Sequence, residues 1–548
     1  MDASCSRNRR PGPARRGLLP LAAIAGACLI ALPARADVVS DWNEFTIKAT
    51  KGFNGLSGAG VALDTNLSAR LEAIEARAVF DAVNAIDHFV PAGYYFNGAS
   101  GGAAAGAAAQ AAHDVLLAIL PDPAADAAAD PRWAQTRAWI DRQLATSLAA
   151  LGIAATDEGL ATGRAAAAAA VAARRLDNAS PVTVYGAALV ATSNPGVGLW
   201  RQSNAGPPFV NPATAAPTGF DVTGGIIQGR PAIDLNWRDV TPFSLSTRQR
   251  SRIVAAVPSA MVVGSLEYVR EVDYVRLHGQ DTASPSARSA DQTAQALYYR
   301  QDAEIFINEA ARLASRERGL TLDQNARLFA LLDSVLADSR VVAFASKYEQ
   351  KFWRPITAIN ANPDGSVTNG YTAWHPLAAT PAHPSNTAGH STSGAAGFEV
   401  LRAVFGDAIR PDGREVVLTT LPWLTGTNNG TGSATTRVVS TFSQAQLENG
   451  ASRLYLGIHF GFDNLQGQLA GLAVADRVLR SGDPAAAGVH ARASHVSLCN
   501  IARTLLSRPD LYGLFSAPRS GFEDGLEDHC NGGVNHGGDE GFDGDGHR

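Results

Sequence analysis

Three features of the 548-residue sequence predict an all-α fold. Aromatic residues make up only 7% of the chain and alanine is abundant, which suits helices packed through small faces. Apolar residues recur at three- and four-residue spacings in several long stretches. Gly, Pro and Asn punctuation is concentrated in 185–250, where NPGVGLWRQSNAGPPFVNPATAAPTG reads as long connections covering a helical body.

The first periodic stretch, Leu67 to Ile86, places Leu67, Leu71, Ile74, Ala78, Ala82 and Ala85 on one buried face. Ala103 to Leu117 and Gly163 to Leu176 repeat the pattern with mostly alanine. Helical spacing returns in Gln292 to Leu313, then in Leu322 to Phe344, where Thr321 is the expected N-cap and Leu328, Leu331, Leu332, Val335 and Leu336 mark a packed face.

Residues 1–36 read as an export signal: Arg7, Arg9, Arg10, Arg15 and Arg16 precede the apolar run GLLPLAAIAGACLIAL, and Ala34-Arg35-Ala36 offers small residues for cleavage. The run is short for a membrane span. Removing the signal takes away six arginines and one aspartate and leaves a formal charge of -10, which excludes nucleic acid as the expected partner. Cys499 and Cys530 remain, too few for a disulfide scaffold. The tail after Cys530 is Gly- and Asp-rich, and disorder is expected there.

Three stretches carry chemistry. KYEQKFWRPITAIN sets Lys347 and Arg354 seven residues apart, which on one helix returns to nearly the same face, with Pro355 expected to end that helix. The two can converge on a multiply charged oxyanion, arginine as a planar fork and lysine as a point charge, with Lys351 a further candidate. In PAHPSNTAGHSTSG, a helix beginning near His390 presents free N–H groups and its positive dipole end to an anion, and Gly389 permits close approach. His390 can then give or take a proton at a bound oxyanion, water or peroxide. In ASRLYLGIHFGFDNLQG, Arg453 adds a third cation. His459 and Asp463 share a face if the helix continues, so the carboxylate can hold one ring nitrogen and leave the other as ligand or nucleophile. Singly, each stretch also suits a solvated face or a satisfied core histidine; together they suit phosphate or its analogue vanadate.

With these motifs the sequence resembles the vanadium-dependent haloperoxidase and type 2 phosphatidic acid phosphatase superfamily. A lysine, six residues and Arg-Pro run from Lys347 to Arg354-Pro355; Pro-Ser-Gly-His aligns with Thr387-Ala388-Gly389-His390; an arginine followed six residues later by histidine is Arg453 and His459. LEAIEARAVFDAVNAI, DQTAQALYYR and QNARLFALLDSVLADS resemble exported bacterial members of the haloperoxidase branch, so the resemblance covers most of 40–480. It implies two four-helix bundles with long connecting loops: an N-terminal bundle and loop region in 37–280, a C-terminal bundle carrying the oxyanion site in 281–525, and a tail in 526–548.

The resemblance further implies vanadate as cofactor, with His459 bound to the metal. Lys347, Arg354, Arg453 and the Gly389 amide would neutralise its oxygens, and His390 would be the acid/base group. Hydrogen peroxide activated there, with Lys347 polarising it, would oxidise a halide to a hypohalous acid equivalent that passes to a small organic acceptor. A periplasmic or secreted location is implied, and a homodimer is compatible with it.

Two departures stand out: Ala388 replaces the usual serine and Thr387 the usual proline. Losing one charge-assisted hydrogen bond costs roughly 1.5–3 kcal/mol, and Thr387 and Ser391 are candidate substitutes. His383 is a candidate for the halide pocket or a proton relay. The same residues also suit an acid phosphatase, with His459 attacking phosphorus, Asp463 orienting it and His390 protonating the leaving group. A noncatalytic protein with a vestigial pocket is the third reading.

Overall fold

The computed structural model describes 37–179 apart from 54, 56–59 and 99; 197–200; 232–361 apart from 282–285; 374–420; and 435–489. All of these fall within one compact unit that starts at Ala36. The expected export signal, Cys499, Cys530 and the tail lie outside the described residues, as does most of the 185–250 connection.

Most described residues are helical. The chain begins with α1 (Val38–Thr50), α2 (Thr65–Asp87), α3 (Ala104–Ile119), α4 (Trp133–Leu151) and α5 (Glu158–Ala173). Asp64 caps α2 by accepting from the Asn66 amide at 2.8 Å. Asp157 does the same for Gly159 at 2.8 Å, which starts α5 ahead of the apolar stretch from Gly163. Ser246 and Ser265 cap α6 (Thr247–Ala256) and α7 (Leu266–His278).

The single helix expected over Gln292 to Leu313 is two: α8 (Ala290–Tyr298) and α9 (Ala303–Arg318). Tertiary bonds override the periodicity, because Asp302 at the break pairs with Lys51 at 2.8 Å and accepts from Thr65 Oγ1 at 3.0 Å. Next come α10 (Leu322–Gln350), α11 (Pro355–Ala361), α12 (Gly389–Phe405), α13 (Phe442–Tyr455) and α14 (Gly461–Leu479). Between α12 and α13 the fold departs from all-α: β1 (Val416–Thr419) pairs antiparallel with β2 (Thr436–Val439), with Val416 opposite Val439. β-branched residues dominate both strands.

The 29-residue α10 is central, packing against α2 and also against α12 and α14. It is buried on nearly every side from Leu328 to Tyr348, so it lacks the polar stripe of a surface helix. Small residues bring α14 close to α12: a Cβ on Gly471 would lie 2.1 Å from the Thr392 carbonyl oxygen. That approach lets the Ala388 amide reach the Asp463 carbonyl at 3.0 Å. The start of α12 and the start of α14 are thereby fixed side by side.

A histidine clamp joins α3 to α4. His113 Nδ1 lies 2.7 Å from Asp114 Oδ1 and its Nε2 3.0 Å from Asp141 Oδ1. Carboxylates only accept, so both ring nitrogens carry hydrogen. Burial opposes the charge, but the two carboxylates prevail and raise the pKa above its ordinary 6.5. The stability this gives is complete below pH 6.5 and is lost as pH climbs through the raised value. His113→Gln should therefore lower the melting temperature more at about pH 5 than at about pH 9. Equal losses at both pH values would reject a charged clamp.

Candidate oxyanion site

Lys347 sits in the last turn of α10 and is fully buried. Its Nζ donates to the carbonyls of Pro384 at 3.0 Å, Ser385 at 2.8 Å and Thr387 at 2.5 Å, which ties the loop before α12 to α10. Burial, and then the Arg354 charge, hold its pKa well below the ordinary lysine value. Lys347 and Arg354 do not share a helix face as their spacing suggested. The helix ends at Gln350 because Lys351 turns left-handed at φ 52°, and Pro355 opens α11 instead of closing α10. Proline is well suited to that first position, where no N–H is needed. Lys351 itself points away as an exposed cap.

Arg354 is fully buried and joins the two other stretches. Its Nε donates to the His383 carbonyl at 2.8 Å and its Nη1 to the Ile458 carbonyl at 2.7 Å. Nη1 also reaches His459 Nε2, and Nη2 reaches His383 Nδ1, each at 2.9 Å. Arginine only donates, so His459 Nε2 holds a lone pair, while His383 Nδ1 also lies 3.2 Å from the Pro384 carbonyl, which only accepts. Burial is the main reason the His459 and His383 pKa values lie well below 6.5, with Arg354 and Lys347 adding to it. Burial likewise brings Arg354 down to about 9.

His459 is not on a continuous helix with Asp463. It lies in the link from α13 to α14, where Gly457 adopts φ 76° and a Cβ would sit 2.3 Å from the Gly279 carbonyl oxygen. The expected contact forms anyway, because Asp463 in the first turn of α14 faces back: Oδ2 lies 2.9 Å from His459 Nδ1 and 3.2 Å from the Phe460 amide. Nδ1 therefore carries the hydrogen and Nε2 the lone pair. Ser385, which the motifs did not single out, also donates its hydroxyl to Asp463 Oδ2. Burial pushes Asp463 up to about 6.

The break between α8 and α9 completes the arrangement. Arg453, in the last turn of α13, donates from Nη1 to the Tyr299 carbonyl at 2.8 Å. His390, at the second position of α12, has Nε2 3.0 Å from the Gln301 carbonyl. A carbonyl only accepts, so Nδ1 holds the lone pair when His390 is neutral. Burial, followed by Arg453 and Arg340, sets its pKa well below 6.5. The face of Gly389 on which a side chain would project is bounded by Arg340 Nη1 at 3.6 Å and Lys347 Cε at 4.0 Å.

Among the described residues, Arg340 pairs with Glu304 and His459 with Asp463, but no ion pair engages Lys347, Arg354 or Arg453. Arg453 Nε is buried without a partner. Three buried cations against one carboxylate whose own pKa is raised make a strongly electropositive site, and buried charge of this kind calls for a counter-ion. An oxyanion carrying two or three charges fits, and His459 Nε2 is a suitable nitrogen ligand for a metal at its centre. Of the candidate substitutes for the missing serine, Thr387 Oγ1 lies 3.3 Å from Thr392 Oγ1, and Ser391 packs against α14 at Gly467. Neither hydroxyl is bonded to the site cations.

The family model described as the VCPO second helical-bundle domain matches residues 327–484. The vanadium chloroperoxidase of Curvularia inaequalis is 26% identical over 238 residues, covering 34% of this chain and 39% of that protein. The chain thus spans less than half the length of this curated relative. A bacterial vanadium-dependent iodoperoxidase has a similar solved structure, with TM-score 0.55 and 18% identity over 80% of this chain and 96% of its own. The holo form of a bacterial vanadium-dependent chloroperoxidase matches with TM-score 0.53 and 15% identity over 77% and 93%. At such identities the two structures speak for the fold. Residues 327–484 are thus similar to the second helical-bundle domain of the vanadium chloroperoxidases, and the fold of the chain is similar to that of the solved vanadium-dependent haloperoxidases.

Proposed function

We propose that this protein is a vanadate-dependent haloperoxidase that uses hydrogen peroxide to oxidise halide to a hypohalous acid equivalent. The observation that carries the reading is a trio of buried cations, none in an ion pair among the described residues, beside an imidazole whose Nε2 is kept as the lone-pair nitrogen. Bound vanadate would supply a Lewis acid that keeps its oxidation state while peroxide oxidises the halide. His459 would ligate the metal through Nε2. Lys347, Arg354, Arg453 and the Gly389 amide would neutralise the oxyanion. His390 would take a proton from incoming peroxide at Nδ1 and return it to the departing oxygen, a role its neutral resting form suits. His383 would shape the halide approach, and its bond to Arg354 would couple that approach to the oxyanion.

The two four-helix bundles and the division near 280 belong to the same proposal. In support, α2, α3 and α5 pack on one another and α12 packs on α13 and α14, with α10 between the two groups and in contact with α2, α12 and α14. No helix among the described residues is long and apolar enough to cross a membrane, which accords with a periplasmic or secreted enzyme. A small organic acceptor and a homodimer complete the proposal.

The protein loaded with orthovanadate should oxidise iodide, bromide or chloride only when peroxide is present. Vanadate-free protein is assayed alongside on phosphate esters. Hydrolysis of esters blocked by vanadate, with no halide oxidised, would replace this reading with the phosphatase one.

A further inference from the structure

Arg340 lies on α10 two turns before Lys347 and is 4% exposed. Its guanidinium is held on one edge only: Nε donates to Glu304 Oε1 at 2.7 Å and Nη2 to Glu304 Oε2 at 2.8 Å. Nη1 has no hydrogen-bond partner among the described residues. It is the nearest atom, at 3.6 Å, to the point where a side chain on Gly389 would begin. Burial is the main depressant of the pKa values of Lys347, His383, His390 and Arg453, and the Arg340 charge adds to it at all four. Arg340 thus stands within electrostatic reach of four of the site's side chains.

The neighbouring residue that could have supplied a hydroxyl is Ala388, fully buried at the N-cap of α12 with no side-chain cap. A serine there would add a hydrogen-bond donor without adding charge. The Arg340–Glu304 pair has a similar property, because the carboxylate offsets part of the guanidinium charge while Nη1 has no bond to it and can donate elsewhere. We propose that Arg340, held by Glu304, is a further oxyanion-binding residue whose Nη1 takes over the hydrogen bond that Ala388 cannot make.

This inference rests on the oxyanion reading above, so its test measures binding instead of turnover. Orthovanadate and inorganic phosphate are titrated calorimetrically into wild type, Arg340→Lys, the paired Arg340→Met/Glu304→Gln variant, and each of these with Ala388→Ser. Removing both members of the pair avoids stranding a buried carboxylate, and Arg340→Lys keeps the ion pair while losing the fork. Both changes should weaken both anions about 10–100-fold, the range expected for one charge-assisted hydrogen bond. Ala388→Ser should restore about tenfold in the altered backgrounds and add less than about threefold in wild type, because the two donors substitute for one another. Wild-type affinity in folded Arg340→Lys or in the folded paired variant overturns the assignment of Arg340 alone. Failure of wild type to bind either anion overturns the oxyanion reading and this one with it.

Discussion

Replacing His459 with alanine should yield a folded protein that no longer retains vanadate. The imidazole lies between Asp463 and Arg354, and its Nε2 is the only ring atom aimed at the cations. Its removal deletes the proposed metal ligand while leaving Lys347, Arg354 and Arg453 in place. The loss of vanadate affinity should exceed the roughly 10–100-fold that removing a mere supporting partner costs. Phosphate, which those cations would hold without a nitrogen–metal bond, should lose much less. Calorimetric titration of both anions separates the two effects. Equal small losses for vanadate and phosphate would remove His459 from the role of ligand.

Asp463→Ala should weaken vanadate about 10–100-fold and cost stability as well, whereas Asp463→Asn should recover most of both. The asymmetry follows from which oxygen is used. Oδ2 accepts from His459 Nδ1, the Phe460 amide and the Ser385 hydroxyl, while Oδ1 is buried with no partner among the described residues. An asparagine can set its carbonyl at the Oδ2 position, where it still accepts from His459, the Phe460 amide and the Ser385 hydroxyl. Alanine strands the Phe460 N–H and the Ser385 hydroxyl, at about 1–3 kcal/mol for each buried group left unmade. Asp463 also titrates at a raised pKa, from 3.8 to about 6, so across that window the folded state holds more protons than the unfolded chain. The contribution of Asp463 to stability should therefore fall as pH rises through the window, and that slope should vanish in Asp463→Asn. An asparagine variant as damaged as the alanine variant would show that charge, not orientation of the imidazole, is what Asp463 provides.

The sequence showed the chemistry of the site better than its geometry. Lys347, Arg354, Gly389, His390, Arg453, His459 and Asp463 lie in three stretches that the fold gathers around one region. Helical spacing was the wrong reason for two of the pairings. Arg354 follows a left-handed residue and a new helix start, and His459 occupies a link, so both reach the site through connections whose conformation depends on distant packing. The break at Tyr299–Asp302 was hidden because nothing local ends the helix; the deciding partner, Lys51, is some 250 positions away in sequence. Arg340 left a faint signal. It is a charge directly before the apolar run Val341–Ala345 and seven residues before Lys347, a spacing that brings both to one side of α10.

The broken helix also bears on what could be transplanted. Residues 327–484 contain every cation, all three site imidazoles and the orienting carboxylate, and they match a domain model on their own. Yet the acceptors that steady Arg453 and His390 are carbonyls of Tyr299 and Gln301, and the carboxylate that grips Arg340 is Glu304. A graft of the matched domain alone would carry the charged groups without the backbone that aims them. The smallest portable version of this site begins upstream of Tyr299, and because Asp302 is moored to Lys51, its anchoring reaches back to the end of α1.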